Sequence, residues 1–417
     1  MISPELIFAI ILIILFADFL FGKWISILNY RWRKKPVHES VNDVYDKEAY
    51  QKFQDYSRAN FKTGLLSSVI MFLLTIAMFV FEGFAWIDGI LRQYFDSEIT
   101  LAISFFAVIG IATFIISLPF SIYDTFVIEE KFGFNKMTVK TFIFDTIKSI
   151  GMSAIIGGGL LALIVLIYQA TAEWFWLLAW IIITGFSIFM AEFYSSIIVP
   201  LFNKQTPLED GSLKTKISNF AQKAGFRLDN VFVIDGSKRS TRANAYFTGL
   251  GKKKRIILYD TLINDFEEDE IVSVLAHEIG HFKKHHIRKS LLISIVNTGF
   301  MLFVFGLFLE QDIFAQALGV DKASFHIGAI GFAVLYSPLS EIIGILMSAF
   351  SRKNEREADA FAAEYGKGEG LISALKKLSA KNLSNLTPHP LMVKLSYSHP
   401  PVAERIQCLS LKNKSKQ

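Results

Sequence analysis

The chain has 417 residues, 52% hydrophobic and 19% charged, with a net charge of +5. Its mean hydropathy of +0.40 excludes an ordinary soluble domain and points to a membrane protein. The small positive charge gives no reason to expect a nucleic-acid partner. The single cysteine, Cys408, excludes an intrachain disulfide and a cysteine metal cluster.

In chain order, the first apolar run is Pro4–Ile27. It lacks a basic leader and a small-residue cleavage site, so it is expected to remain as a helix. Six more runs are long enough to cross a bilayer: Leu65–Ile87, Leu101–Tyr123, Ser149–Ala170, Trp174–Pro200, Ser290–Leu309 and Ile327–Phe350. All seven must be helices, because lipid offers no partner to an unpaired backbone. The fourth carries Gly157-Gly158-Gly159, expected to be a weak or closely packed point.

Loops rich in Lys and Arg follow the first, third and fifth spans, and the tail is basic through Lys412, Lys414 and Lys416. The loops after the second, fourth and sixth spans are acidic or nearly neutral. This alternation puts the N-terminus outside, and segments 201–289 and 351–417 together on the cytosolic side. Asp18, Glu192 and Glu341 interrupt or adjoin the spans. Their charges are expected to face a polar interior, or to serve a transporter.

Segment 201–289 is the largest outside the spans. Val231–Ile234 and Arg255–Tyr259 are expected as short strands, with a hairpin turn at Gly249–Lys254. Asp265–Arg288 has acids in its first turn and bases in its last, the pattern of a helix aligned with its dipole.

That helix carries His277-Glu278-Ile279-Gly280-His281. Two His at i and i+4 share a face and can reach one metal ion, with Glu278 beside it to take a proton from water. The pattern arises by chance in roughly one chain in a hundred of this length. Alone, it competes with a polar helix end whose His are satisfied by neighbours. Catalytic zinc needs a third protein ligand and an open position. Ser351–Ala362 directly follows the last span and is helical in pattern, with Glu355 and Asp359 at i and i+4. One of these could ligate while the other accepts the second N–H of a ligand His. Glu357 is a rival ligand on a different face from Asp359. His285 and His286 are expected to be surface residues. In Tyr397-Ser398-His399-Pro400-Pro401, with Glu404 and Arg405 behind, the prolines fix a turn after His399, and a His or Arg there could stabilise an oxyanion.

Taken together, the chain resembles the type I CAAX prenyl proteases, seven-span integral-membrane zinc endopeptidases. The resemblance rests on Pro200–Lys204 with Thr206-Pro207-Leu208, Asn244–Phe247, Ile257–Leu262, His277–His281, Glu355–Ala362 and Ser398–Arg405. It implies one zinc held by His277, His281 and Glu355, with Glu278 as general base and Asp359 behind a ligand. It implies His399 and Arg405 as the pair contacting substrate and oxyanion, and Asn244, Ala245 and Tyr246 as an edge that binds substrate backbone. It also implies a water-filled chamber inside the helices. Arg356 departs from the pattern, which commonly has Tyr there.

The expected fold is a predominantly α-helical polytopic membrane protein with seven transmembrane helices and a zincin-like α+β catalytic segment carrying a small β-hairpin. Its expected divisions are spans one to five in 1–200, the His-bearing segment 201–289, spans six and seven in 290–350, and a second catalytic segment 351–417. The expected protein is a monomer in a bacterial inner membrane or the endoplasmic reticulum, in contact with lipid. Its substrate would be a peptide or the C-terminus of a prenylated protein. The alternatives are a broader quality-control zinc protease and a transporter or channel with a structural metal.

Overall fold

The computed structural model describes residues 3–226, 231–249 and 255–414. Helix α1 (Pro4–Trp32) starts where the Ser3 hydroxyl accepts the Leu6 N–H, with Pro4 at its first position. Helix α2 (Lys47–Val80) is capped by Asp46 and gives way to α3 (Gly83–Leu91) at Glu82, whose φ of 52° is left-handed. The second span therefore divides near its end. Helix α4 (Glu98–Tyr123) contains Pro119, which cannot donate to the turn before it, and runs on into a wider π-helical stretch, Asp124–Glu129.

The fourth span joins α5 (Val139–Met152) to α6 (Gly158–Thr171) through π-helical Ser153–Gly157. It starts earlier than expected, so Lys140 and Lys148 lie in α5 rather than in the loop before it. The glycine triplet is not a close-packing point, because a Cβ at any of the three would meet nothing within 4 Å. Helices α7 (Phe175–Ile197) and α8 (Val199–Phe202) complete the fifth span.

Strand β1 (Gln205–Pro207) precedes α9 (Ser212–Lys223) and strands β2 (Val231–Ile234), β3 (Ala245–Thr248) and β4 (Arg255–Tyr259). The sheet order is β1-β2-β4-β3, with β2 parallel to β4 and β3 antiparallel to it. β2 and β4 form at the bounds expected from sequence. The pairing of β3 with β4 is that of a hairpin, whose expected turn lies outside the described residues beyond Gly249. Alternation along β4 splits its side chains between two faces. Ile256 and Leu258 join the core built with α9 and later helices, whereas Ile257 packs on Val199 and Ile234.

The stretch expected as one helix, Asp265–Arg288, is α11 (Glu268–Lys283) and the start of α12 (His286–Leu309), and Asp265 ends a separate helix, α10 (Asp260–Asp265). Glu267 and Glu270 form a capping box that begins α11 afresh. At its other end His285 has φ 59°, a left-handed residue that turns the chain into α12. Phe282–His286 contains neither Gly nor Pro, so the sequence carries no breaker signal there.

Helix α13 (Asp312–Gln316) leads to α14 (Phe325–Glu364), a 40-residue helix that continues out of the seventh apolar run without interruption. Helices α15 (Gly368–Lys381), α16 (Pro390–Ser396) and α17 (Val402–Lys414) follow. Helix α11 lies at the centre of the main non-membrane core, between the sheet, α9, α14 and α15. Among the described residues, seven helical segments are long and apolar enough to cross a membrane, and 6–17% of each apolar window is buried.

Ile257 is fully buried in β4, one of the two internal strands. Ile257→Ala is expected to cost about 3 kcal/mol through the cavity it leaves, read as a lower thermal unfolding midpoint in detergent. An unchanged midpoint would contradict the packing of β4 on Val199.

Candidate metal centre

The site forms where α11 meets α14. Gly280 makes the approach possible: a Cβ there would sit 3.1 Å from the Ala358 Cα and 3.1 Å from its carbonyl oxygen. His277 and His281 flank Gly280 on α11, while Glu355 and Asp359 flank Ala358 on α14. Contact of the two small residues thus brings both ligand-bearing faces together.

Three side chains converge. The Nε2 atoms of His277 and His281 are 3.1 Å apart. Glu355 presents Oε1 to His281 at 3.1 Å and Oε2 to His277 at 3.4 Å. Donor atoms about 2.1 Å from a common tetrahedral centre lie roughly 3.4 Å from one another, so the three separations suit one small cation. His277 and Glu355 are buried and His281 partly so. The Glu355 Oε2 atom is buried without a hydrogen bond, although His399 Nδ1 lies at ion-pair distance, 2.8 Å. Arg405 Nη1 lies 3.7 Å from the same oxygen, so positive groups surround this carboxylate on the side away from His281.

Each imidazole is held from behind at Nδ1. His277 Nδ1 lies 2.8 Å from Asp359 Oδ1, and the Arg405 guanidinium donates to both Asp359 oxygens, at 2.8 and 2.7 Å. His281 Nδ1 lies 3.1 Å from Nδ1 of His286, whose Nε2 is 3.1 Å from Glu357 Oε2. His286 is 2% exposed. It is not the surface residue expected from sequence, because the turn at His285 points α12 back toward α14. Glu357, the rival ligand, is occupied by His286. Glu278, half-buried, follows His277 on α11 and lies near enough to Arg405 to act on its charge.

The pair expected to contact substrate divides. Arg405 is committed to Asp359, with a side chain 10% exposed, whereas His399 is 62% exposed. Arg352 fixes the approach to His399 by donating to the Val393, Lys394 and Tyr397 carbonyls. Arg356 pairs with Glu404 at 3.2 Å, joining α14 to α17. Asn244 leads into Ala245 and Tyr246 on β3, the edge strand, which packs against α11. Of the intramembrane acids, Asp18 accepts the Ser337 hydroxyl across α1 and α14 at 2.6 Å.

Residues 26–204 match the family described as CAAX prenyl protease N-terminal, five membrane helices, and residues 207–412 match peptidase family M48. The chain belongs to the M48 family of CAAX prenyl proteases. It is 36% identical to CAAX prenyl protease 1 of Saccharomyces cerevisiae over 94% of this chain and 93% of that one. It is 32% identical to the human CAAX prenyl protease 1 homolog over 98% and 96%. The crystal structure of S. mikatae Ste24p matches with a TM-score of 0.92 at 35% identity, covering 98% of this chain and 99% of that one. The chain is therefore an integral, multi-pass membrane metallopeptidase, and the transporter reading falls away. Family membership implies a metal, and the donor set of two imidazoles and a carboxylate suits one.

Burial opposes charge on His277, but its hydrogen bonds to Asp359 and Glu355 outweigh that and push its pKa up to about 9. A cation at the site must then displace a proton. Zinc affinity of the metal-free protein should fall as pH drops through 9, by about tenfold per unit at most. Competition with a chromogenic chelator across that range measures it, and a flat profile contradicts it. Gly280→Ala should force α11 and α14 apart and lower zinc content, with secondary structure by circular dichroism unchanged. Full zinc occupancy in that variant would show that the contact is dispensable.

Proposed function

We propose that the protein is a zinc endopeptidase that cuts peptide bonds near the C-terminus of CAAX-type, prenylated substrates. The observation that carries the reading is the convergence of His277, His281 and Glu355 at ligand spacing, on a chain of this family. Zinc held by these three supplies the Lewis acidity that makes water nucleophilic near neutral pH and polarises the scissile carbonyl. Glu278 takes the proton from the attacking water and returns it to the leaving amine. His399, the exposed member at the site, donates to the carbonyl oxygen as negative charge grows there. Asp359 and Arg405 act through His277, holding its ring in the tautomer that leaves Nε2 free.

Asn244 and, on edge strand β3, Ala245 and Tyr246 bind the substrate backbone as an added strand. A water-filled chamber inside the spans would give Asp18 and its neighbours a polar surrounding. Segments 201–289 and 351–417 form the catalytic part, 1–200 and 290–350 the membrane part. The basic loops put the catalytic part on the cytosolic side, of the endoplasmic reticulum or of a bacterial inner membrane. Protease protection of the 201–289 segment in sealed microsomes tests that orientation, and protection from outside would overturn it.

Glu278→Gln should keep one zinc per chain yet lose at least about a hundredfold in cleavage of a farnesylated CAAX peptide. Wild-type-like activity in that variant would remove Glu278 from the mechanism. A peptide library with and without the lipidated Cys separates a CAAX processing enzyme from a broader quality-control protease. Equal cleavage of both sets favours the latter.

A further inference from the structure

The two imidazoles at the site are supported in different ways. Behind His277 stands a carboxylate, Asp359, itself held by Arg405. Behind His281 stands a second imidazole, His286, with Nδ1 facing Nδ1 at 3.1 Å. Only one of those two nitrogens can carry the proton. If His281 offers Nε2 to a metal, its Nδ1 is protonated and donates, so His286 Nδ1 must accept. The His286 proton then sits on Nε2, which faces Glu357 Oε2 at 3.1 Å. Lys353 Nζ lies 3.9 Å from the other Glu357 oxygen, at the solvent side. The chain of donors runs one way, from His281 through buried His286 to a carboxylate at the surface.

The geometry points to His286 as a positioning residue for the metal: it fixes the tautomer and ring plane of His281, with Glu357 setting the tautomer of His286. This inference rests on the zinc reading of the site. It is distinct from that reading because neither His286 nor Glu357 reaches the metal-facing atoms. His286 opens α12 immediately after the left-handed turn at His285. The path of the sixth span thereby becomes part of the metal site.

The test measures zinc affinity, by chelator competition on the full-length protein in detergent, together with the visible spectrum of the cobalt(II) form. His286→Leu keeps the buried volume and removes the acceptor. It should weaken zinc binding about 10- to 100-fold and perturb the cobalt spectrum. His286→Asn restores an acceptor near the Nδ1 position and should recover most of the loss. Glu357→Ala, at a partly exposed position, should weaken zinc binding in the same direction but less, and serves if His286→Leu fails to fold. A purely structural role would lower the unfolding midpoint of the metal-free and zinc forms alike, with zinc affinity within twofold of wild type, and that result overturns the inference. His281→Ala is the control: if it binds zinc normally, the reading of the site itself fails. If it loses zinc while His286→Leu does not, only the positioning role fails.

Discussion

The site depends on one contact between helices. Gly280 lets α11 lie against the backbone of α14 at Ala358, and any larger residue would begin to push the two apart. The spacing of the helix does the rest. His277 and His281 fall on either side of Gly280, and Glu355 and Asp359 on either side of Ala358. A single point of close approach therefore sets the distances of the metal-facing atoms and of the Asp359 hydrogen bond together. The capping box of α11 and the packing of α15 and α9 around it hold that helix in place.

Charge at the site is balanced in pairs. Glu355 and Asp359 are both about 3% exposed, and two buried carboxylates so close together need compensation. Arg405 supplies it for Asp359. For Glu355 it comes from His399 at 2.8 Å, from Arg405 at 3.7 Å and from the proton that His277 readily takes. On the proposed reading a metal ion and a proton would compete for His277, which would make metal binding depend on pH. His281 lacks a carboxylate directly behind it, and its support by a neutral imidazole avoids placing a third buried negative charge there.

Helix α14 joins membrane and site without a hinge. It contains the seventh apolar run, a Pro at 338, and then Arg352, Glu355, Glu357 and Asp359. Its Arg352 gathers the carbonyls at the end of α16, just before His399, so the exposed His is referenced to the same helix as Glu355. The start of α12 contributes His286. Both of the last two spans therefore supply side chains at the candidate metal centre.

The sequence by itself determined the seven spans, because long apolar runs have only one way to satisfy their backbone in lipid. It determined β2 and β4, whose short branched runs stand between polar stretches. It also determined the His pair with Glu278, since i and i+4 on a helix is a local relation. Fold and family were legible at that level. Glu355 was singled out only through its resemblance to known proteases, because spacing left Asp359 and Glu357 open. Tertiary structure decided the rest. The break at His285 depends on a left-handed residue that composition does not signal. The burial of His286 and its link to Glu357 depend on where that break aims α12. The commitment of Arg405 to Asp359 depends on how α17 docks on α14. These are relations between segments far apart in the chain, and a periodic pattern records only neighbours within a turn or two.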